Sequence, residues 1–216
     1  CNPPPARPLQ LQLRPSSVAA WPRGSMELDV PLSPRGRGVF GWVPDTSSVL
    51  VDERDEVGRF LRLVRPVHAG EAVLVEDPLF LSPGGKDELD LLVQQTLDLQ
   101  AAALAANSNP QWMPVSSQLS LVVVLELLRD ADAPSCEEFR QLRGDVERWA
   151  PAANQLWLLL REDIRAQVAF EALCEVYAIV AANAHAADDG RAGIFRFGSY
   201  AEHSCAPSAF KEVVVP

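Results

Sequence analysis

Gly198-Ser199-Tyr200-Ala201-Glu202-His203-Ser204-Cys205-Ala206-Pro207-Ser208 is the stretch on which the reading of this chain turns. Just before it, Ile194-Phe195-Arg196-Phe197 alternates apolar and basic residues as a strand does. Beyond it, Phe210 and Val213-Val214-Val215 predict the start of another strand. Far upstream, between Val57 and Leu81, lie two short runs rich in Val and Leu: Phe60-Leu61-Arg62-Leu63-Val64 and Ala72-Val73-Leu74-Val75. Pro66 and Ala69-Gly70-Glu71 separate them as a turn would, so the two runs predict an antiparallel pair. Pro78 and Pro83-Gly84-Gly85 close that unit.

The residues between these β-like pieces read as helical. Lys86 to Asn107 has no proline and carries Leu89, Leu92, Val93, Leu97, Leu99 and Leu104 at helical spacing, which predicts one long helix stopped by Asn107-Ser108-Asn109-Pro110. Ser116 or Ser117 is the expected cap of a second helix running to about Arg129. Pro134-Ser135 predicts the start of a third, with Glu137 and Glu138 near its positive end. Pro151 opens a fourth through Leu156, Leu160 and Ile164, and a fifth runs from about Ala169 to Ala182. No repeat of fixed length relates them. The expected organisation is a Pro-rich, loosely packed arm over 1–47, strands over 48–85, a helical insert over 86–183 and a C-terminal β segment over 184–216. The arm holds half of the 18 prolines. Its Gly36-Arg37-Gly38-Val39-Phe40-Gly41 cluster, with no strand before it and no helix after it, reads as a plain turn in preference to a phosphate-binding loop.

A chain of 216 residues holds one good-sized core. No apolar run approaches the roughly 18–20 residues that cross a bilayer; the longest, Leu119 to Leu125, is interrupted by Ser120 and followed by Glu126. The net charge of −10 argues against nucleic acid, whose phosphates need clustered Lys and Arg, and suits a basic peptide. Cys1, Cys136, Cys174 and Cys205 are far apart and form no Cys-x-x-Cys pair, so neither a disulfide framework nor a self-contained zinc site is expected. A reducing, intracellular compartment, cytoplasmic or nuclear, is the natural setting.

The quoted stretch resembles the signature of SET-domain protein lysine methyltransferases, usually Asn-His-Ser-Cys-x-Pro-Asn. His203, Ser204, Cys205 and Pro207 fit, while Glu202 and Ser208 stand where Asn is usual. Gly58-Arg59-Phe60-Leu61, then Gly70-Glu71, then Pro78-Leu79 resembles the opening of the SET and MYND-domain-like subgroup. The run Tyr177 to Asn183, followed by Gly193-Ile194-Phe195, resembles the helix and strand that precede the signature there. The resemblance implies an α+β fold, a β-rich SET core split by a large α-helical insert. It implies S-adenosylmethionine as cofactor and a lysine-bearing protein or peptide as partner. No cysteine and histidine cluster stands where a MYND zinc module would. The catalytic Tyr that the resemblance implies is expected beyond Pro216, so no catalytic residue is assigned and this stretch alone is expected to be inactive.

By resemblance the cofactor would be held by Gly58, Arg59, Asn183, Ser199, Ala201, Glu202 and His203. Methyl transfer from a sulfonium to an amine asks the protein mainly for alignment and a dry channel. Gly58 would let backbone approach the ligand; equally, it is a turn glycine. Asn183 would hydrogen-bond the cofactor, or is simply a helix-ending Asn. Ser199 and Ala201 would act through backbone, which tolerates substitution. An ionised Glu202 only accepts hydrogen bonds, where Asn both donates and accepts, and so would repel the cofactor's carboxylate. Phe60, where the subgroup has a second glycine, would enter the pocket or turn into the core. Cys205 would bind zinc only with further downstream cysteines and is otherwise a small buried residue. His68 and His185 read as ordinary loop and helix-end residues, and Tyr177 as core. Two rivals remain at this level: a SET-like scaffold without transferase activity, which Phe60 and Glu202 favour, and a helical interaction module whose flanking strands lie far apart.

Overall fold

A computed structural model describes residues 45–54, 58–68, 71–101, 113–187 and 189–201. The mixed α+β expectation holds at the level of class. The elements are β1 (Val49–Arg54), β2 (Gly58–Leu63), β3 (Phe80–Leu81), α1 (Lys86–Thr96), α2 (Val115–Arg129), α3 (Pro134–Phe139), α4 (Val146–Leu159), α5 (Glu162–Arg165), α6 (Phe170–Asn183), β4 (Ala184–Ala186), β5 (Ala192–Ile194) and a 3-10 turn at Gly198–Tyr200. The arm over 1–44, and everything from Glu202 onward, lie outside the described residues.

The core is organised around α2. Leu119-Ser120-Leu121-Val122-Val123-Val124-Leu125 has no polar face, and a helix apolar all round must be covered on every side. It is: each of these residues is fully or almost fully buried. Ser120 is accommodated because its hydroxyl donates to the Ser116 carbonyl at 2.7 Å. Helix α6 packs against both α2 and α4, and the strands β3 and β5 lie on α2. Phe80 of β3 meets Phe139 of α3 edge to face, with ring centroids 5.6 Å apart. Tyr177 is buried in this core, as expected, within reach of the Ser116 and Ser117 hydroxyls at 3.3 and 3.4 Å.

Two small sheets flank the helices. β1 and β2 form an antiparallel hairpin, Val49 opposite Leu63 and Arg54 opposite Gly58. The second sheet has the order β3-β5-β4, with Phe80 opposite Ile194 and Leu81 opposite Gly193. Its pairing is long-range: β3 belongs to the segment before the helical insert and β5 to the segment after it.

Several expectations need correction. The run Phe60 to Val64 does form a strand, but its partner is Val49–Arg54, not Ala72–Val75. Asp52, Glu53 and Arg54 hide that partner in the sequence; in place, Asp52 pairs with Arg62 at 2.8 Å and the Arg54 guanidinium lies 4.6 Å from the Phe60 ring centre. Among the described residues, Ala72–Val75 shows a bridge from Val75 to Asp45 and no strand. The long helix from Lys86 breaks at Leu97, which bridges to Leu160, while the Asp98 carboxylate accepts from the Gln100 amide and caps a new turn. Leu99 is accordingly 67% exposed instead of lying on an apolar stripe. Ser116 and Ser117 sit inside α2, whose cap position is Pro114 without a side-chain bond. Pro151 does not open α4 but lies within its early turns; Asp145 is the cap, accepting from the Arg148 amide at 3.0 Å. Leu160 and Ile164 fall beyond the end of that helix. The strand expected over Ile194–Phe197 ends at Ile194 and gives way to a turn.

Candidate functional site

The segment that carries the quoted stretch leaves β5 at Ile194, turns at Arg196 and Phe197, and closes into the 3-10 turn Gly198–Tyr200. Within it the Tyr200 amide donates to the Phe197 carbonyl at 2.9 Å, the Ala201 amide donates to the Gly198 carbonyl at 3.2 Å, and the Ser199 hydroxyl donates to the Phe195 carbonyl. The first amides of such a turn have no partner inside it. They find one far upstream: the Glu76 carboxylate accepts from Phe197 N at 2.9 Å and from Gly198 N at 2.5 Å. A carboxylate receiving two backbone N–H groups forms charge-assisted bonds, stronger than neutral ones.

Arg59 connects the hairpin to the same place. Its guanidinium stands 4.9 Å from the centre of the Tyr200 ring and donates to the Gln141 carbonyl. Gln141 begins the turn between α3 and α4, and two residues on the Arg143 carbonyl accepts from Asn183 Nδ2 at 2.7 Å. That same nitrogen donates to the Ile179 carbonyl at 2.8 Å. Gly144 completes the turn by lying directly on α6. A Cβ there would stand 2.2 Å from the Ala178 carbonyl carbon, so only glycine permits this approach.

Of the sequence-predicted residues, Arg59, Asn183, Ser199 and Ala201 are thus tied together through Tyr200 and the Gln141–Gly144 turn. Gly58 heads β2 with φ +75, a left-handed conformation that accounts for the glycine by itself, and nothing lies within 4 Å of where a Cβ would be. Phe60 is buried, only 7% exposed. Asn183 is buried at the end of α6 and both of its amide hydrogens go to carbonyls of the chain, so its side chain can offer a further partner only an acceptor. Glu202, His203 and Cys205 lie outside the described residues. His185 packs against Phe195, with ring centroids 6.0 Å apart.

Sequence reasoning missed Glu76, Gln141 and Arg143. Glu76 gave no distinguishing signal: it stands beside Asp77 at the end of an apolar run, and nothing local says which of the two carboxylates turns inward. Gln141 and Arg143 act through backbone carbonyls, for which side-chain identity gives no sign. Among the described residues, no three His, Cys, Asp or Glu side chains come together as a metal site would require. An open recess of about 740 Å³ is lined by a different set, Asp98, Leu99, Gln100, Arg161, Glu162, Asp163 and Ala166, and includes none of the residues above. No family model, no curated protein and no solved structure matches this chain.

Proposed function

We propose that this chain carries the S-adenosylmethionine site of a SET-domain-type protein lysine methyltransferase of the SET and MYND-domain-like kind. The observation that supports this reading is the convergence of two sequence-distant β pieces. β3 pairs with β5, Glu76 holds the turn at Phe197 and Gly198, and Arg59 reaches Tyr200, although the whole helical insert separates these residues in sequence. A helical module flanked by unrelated strands requires none of these contacts.

The described residues fit such a cofactor in part. Gly58 is exposed at the start of β2, so its backbone there is accessible. Ala201 is exposed and Ser199 half-buried, so backbone there is within reach of a ligand. Asn183 retains an acceptor oxygen only. When bound, S-adenosylmethionine supplies an activated methyl group on a sulfonium. The chain's part is to hold the cofactor's polar end, align the target amine of a lysine-bearing peptide and exclude water. Gly58 and Arg59 would border the cofactor from the hairpin, Ser199 and Ala201 from the turn, and Asn183 from the end of α6. Glu202 and His203 belong to the same set by resemblance.

One observation favours a second reading, a SET-like scaffold that binds protein partners without transferring methyl groups. Both Asn183 amide hydrogens are committed within the chain, so the donor half of the side chain is already used. Titration calorimetry with S-adenosylmethionine separates the two. Saturable binding with a Kd at or below about 1 mM supports the donor site. Absence of heat at several times that concentration rejects it, and binding that appears only in Glu202→Asn assigns the natural chain to the scaffold.

A further inference from the structure

We infer that Glu76 is the positioning residue of the Phe197–Ala201 turn, a latch that sets the geometry of the backbone carrying Ser199 and Ala201. Its consequence for cofactor binding rests on the function proposed above; the latch itself does not.

Three features lead to this assignment. First, the sheet stops short of the turn. The β3–β5 pairing ends at Ile194, and Leu79 N donates to the Ile194 carbonyl at 2.7 Å, so the ladder fixes nothing beyond that residue. Second, the turn satisfies its own later amides, Tyr200 and Ala201, but not those of Phe197 and Gly198, which need an outside acceptor. No neighbour in sequence supplies one: Phe195 and Arg196 have no acceptor side chain. Third, Glu76 is held on both sides. Val75 exchanges two backbone hydrogen bonds with Asp45, at 2.7 and 2.8 Å, and Leu79 is anchored to Ile194. The carboxylate is therefore delivered from a fixed stretch of backbone and not from a loose loop. Among the described residues the turn is also tied by side chains, Arg196 pairing with Glu138 at 2.7 Å on the surface, Arg59 stacking on Tyr200 and Tyr200 packing against the core, but none of these fixes the Phe197 and Gly198 amides.

A latch of this kind separates two properties that a merely structural residue would change together. Removing the carboxylate frees the turn while leaving α2, α6 and the β3–β5 pairing intact. Glu76→Ala and Glu76→Gln in the full chain test this by amide hydrogen exchange, with cofactor binding followed by calorimetry. In Glu76→Ala the Phe197 and Gly198 amides are expected to exchange at least about tenfold faster, with amides of α2 and α6 unchanged. In the near-isosteric Glu76→Gln, which keeps one acceptor oxygen and guards against loss of the fold, the change is smaller and in the same direction. If S-adenosylmethionine binds the natural chain, its Kd should rise about tenfold or more in Glu76→Ala and partly recover in Glu76→Gln. Unchanged exchange at the two amides overturns the latch whether or not the cofactor binds. Faster exchange with an unaltered Kd overturns its role in positioning the site. Failure of the natural chain to bind the cofactor refutes the proposed function instead, and the exchange rates then decide the latch alone.

Discussion

Gly144→Ala puts the turn that links Arg59 to Asn183 to a direct test. An added Cβ would sit 2.2 Å from the Ala178 carbonyl carbon, 2.3 Å from its oxygen and 2.4 Å from the Ile179 nitrogen. Unstrained carbon contacts lie at about 3.5–4.0 Å, so the turn and α6 must separate by more than about 1 Å. All three obstructing atoms are helix backbone, which cannot rotate aside as a side chain can. Overpacking usually costs about 1–3 kcal/mol, and rigid neighbours place this case at the upper end. The displacement also stretches the hydrogen bond from Asn183 to the Arg143 carbonyl, a further loss of about 1 kcal/mol. The total is about 3–4 kcal/mol, or a fall in Tm of roughly 6–16 °C for a chain of this size. Urea unfolding followed by the fluorescence of Trp149 and Trp157 on α4 measures it. Gly85→Ala serves as the comparison: nothing lies within 4 Å of the added Cβ there, so only the loss of a favourable cap residue, up to about 1 kcal/mol, is expected. A loss below about 1 kcal/mol in Gly144→Ala would refute the reasoning, since the turn could then move without cost.

Three further outcomes are expected. Gly85 caps α1 in an extended conformation without a side-chain bond, and Glu88 already reaches back to the Gly84 amide at 2.9 Å. Gly85→Ser adds a hydroxyl acceptor for the first-turn amides and should add about 0.3–0.5 kcal/mol, read as a slightly higher urea midpoint; a lower midpoint contradicts the cap assignment. Burial pushes the Cys136 thiol up to about 11, and Cys174 is raised by the same cause. Alkylation at pH 8, mapped by peptide mass, should leave both unmodified in the native chain and modify both in urea; rapid native labelling of Cys136 would contradict its burial. The Arg161 guanidinium beside Asp163 holds that carboxyl below its ordinary value. The associated stability is present above about pH 4 and is lost as pH falls through the lowered value. The pair is largely exposed, so the effect should stay below about 1 kcal/mol, and the difference between natural chain and Asp163→Asn should vanish toward pH 2; a difference that grows on acidification has the wrong sign.

Much of the helical part could be read from residue pattern. Pro134 starts α3 because a missing N–H costs nothing at a first helical position. Helix α6 runs within a residue or so of its expected limits because Leu173, Val176, Tyr177 and Val180 recur at helical spacing on a buried face. The break at Leu97 could not be read, because it depends on a backbone bridge to Leu160 that no local property of either leucine announces. Of the seven residues the resemblance picked out, Arg59, Asn183, Ser199 and Ala201 are linked through the Tyr200 turn, Gly58 is accounted for by its φ, and Glu202 and His203 lie outside the described residues. The resemblance did not foresee that the Asn183 amide hydrogens would be used by Arg143 and Ile179.

By itself the sequence determined most of the helical stretches, though not the break at Leu97 or the end of α4, and that β-like pieces lie on either side of the helices. Those are matters of periodicity and composition, which side chains carry locally. Only the tertiary structure decided which strand pairs with β2, which carboxylate holds Phe197 and Gly198, and what occupies Asn183. Each of these is a choice of partner for a hydrogen-bonding group. Such choices are made by main-chain geometry across long sequence separations, where every carbonyl and amide is alike and only position distinguishes them.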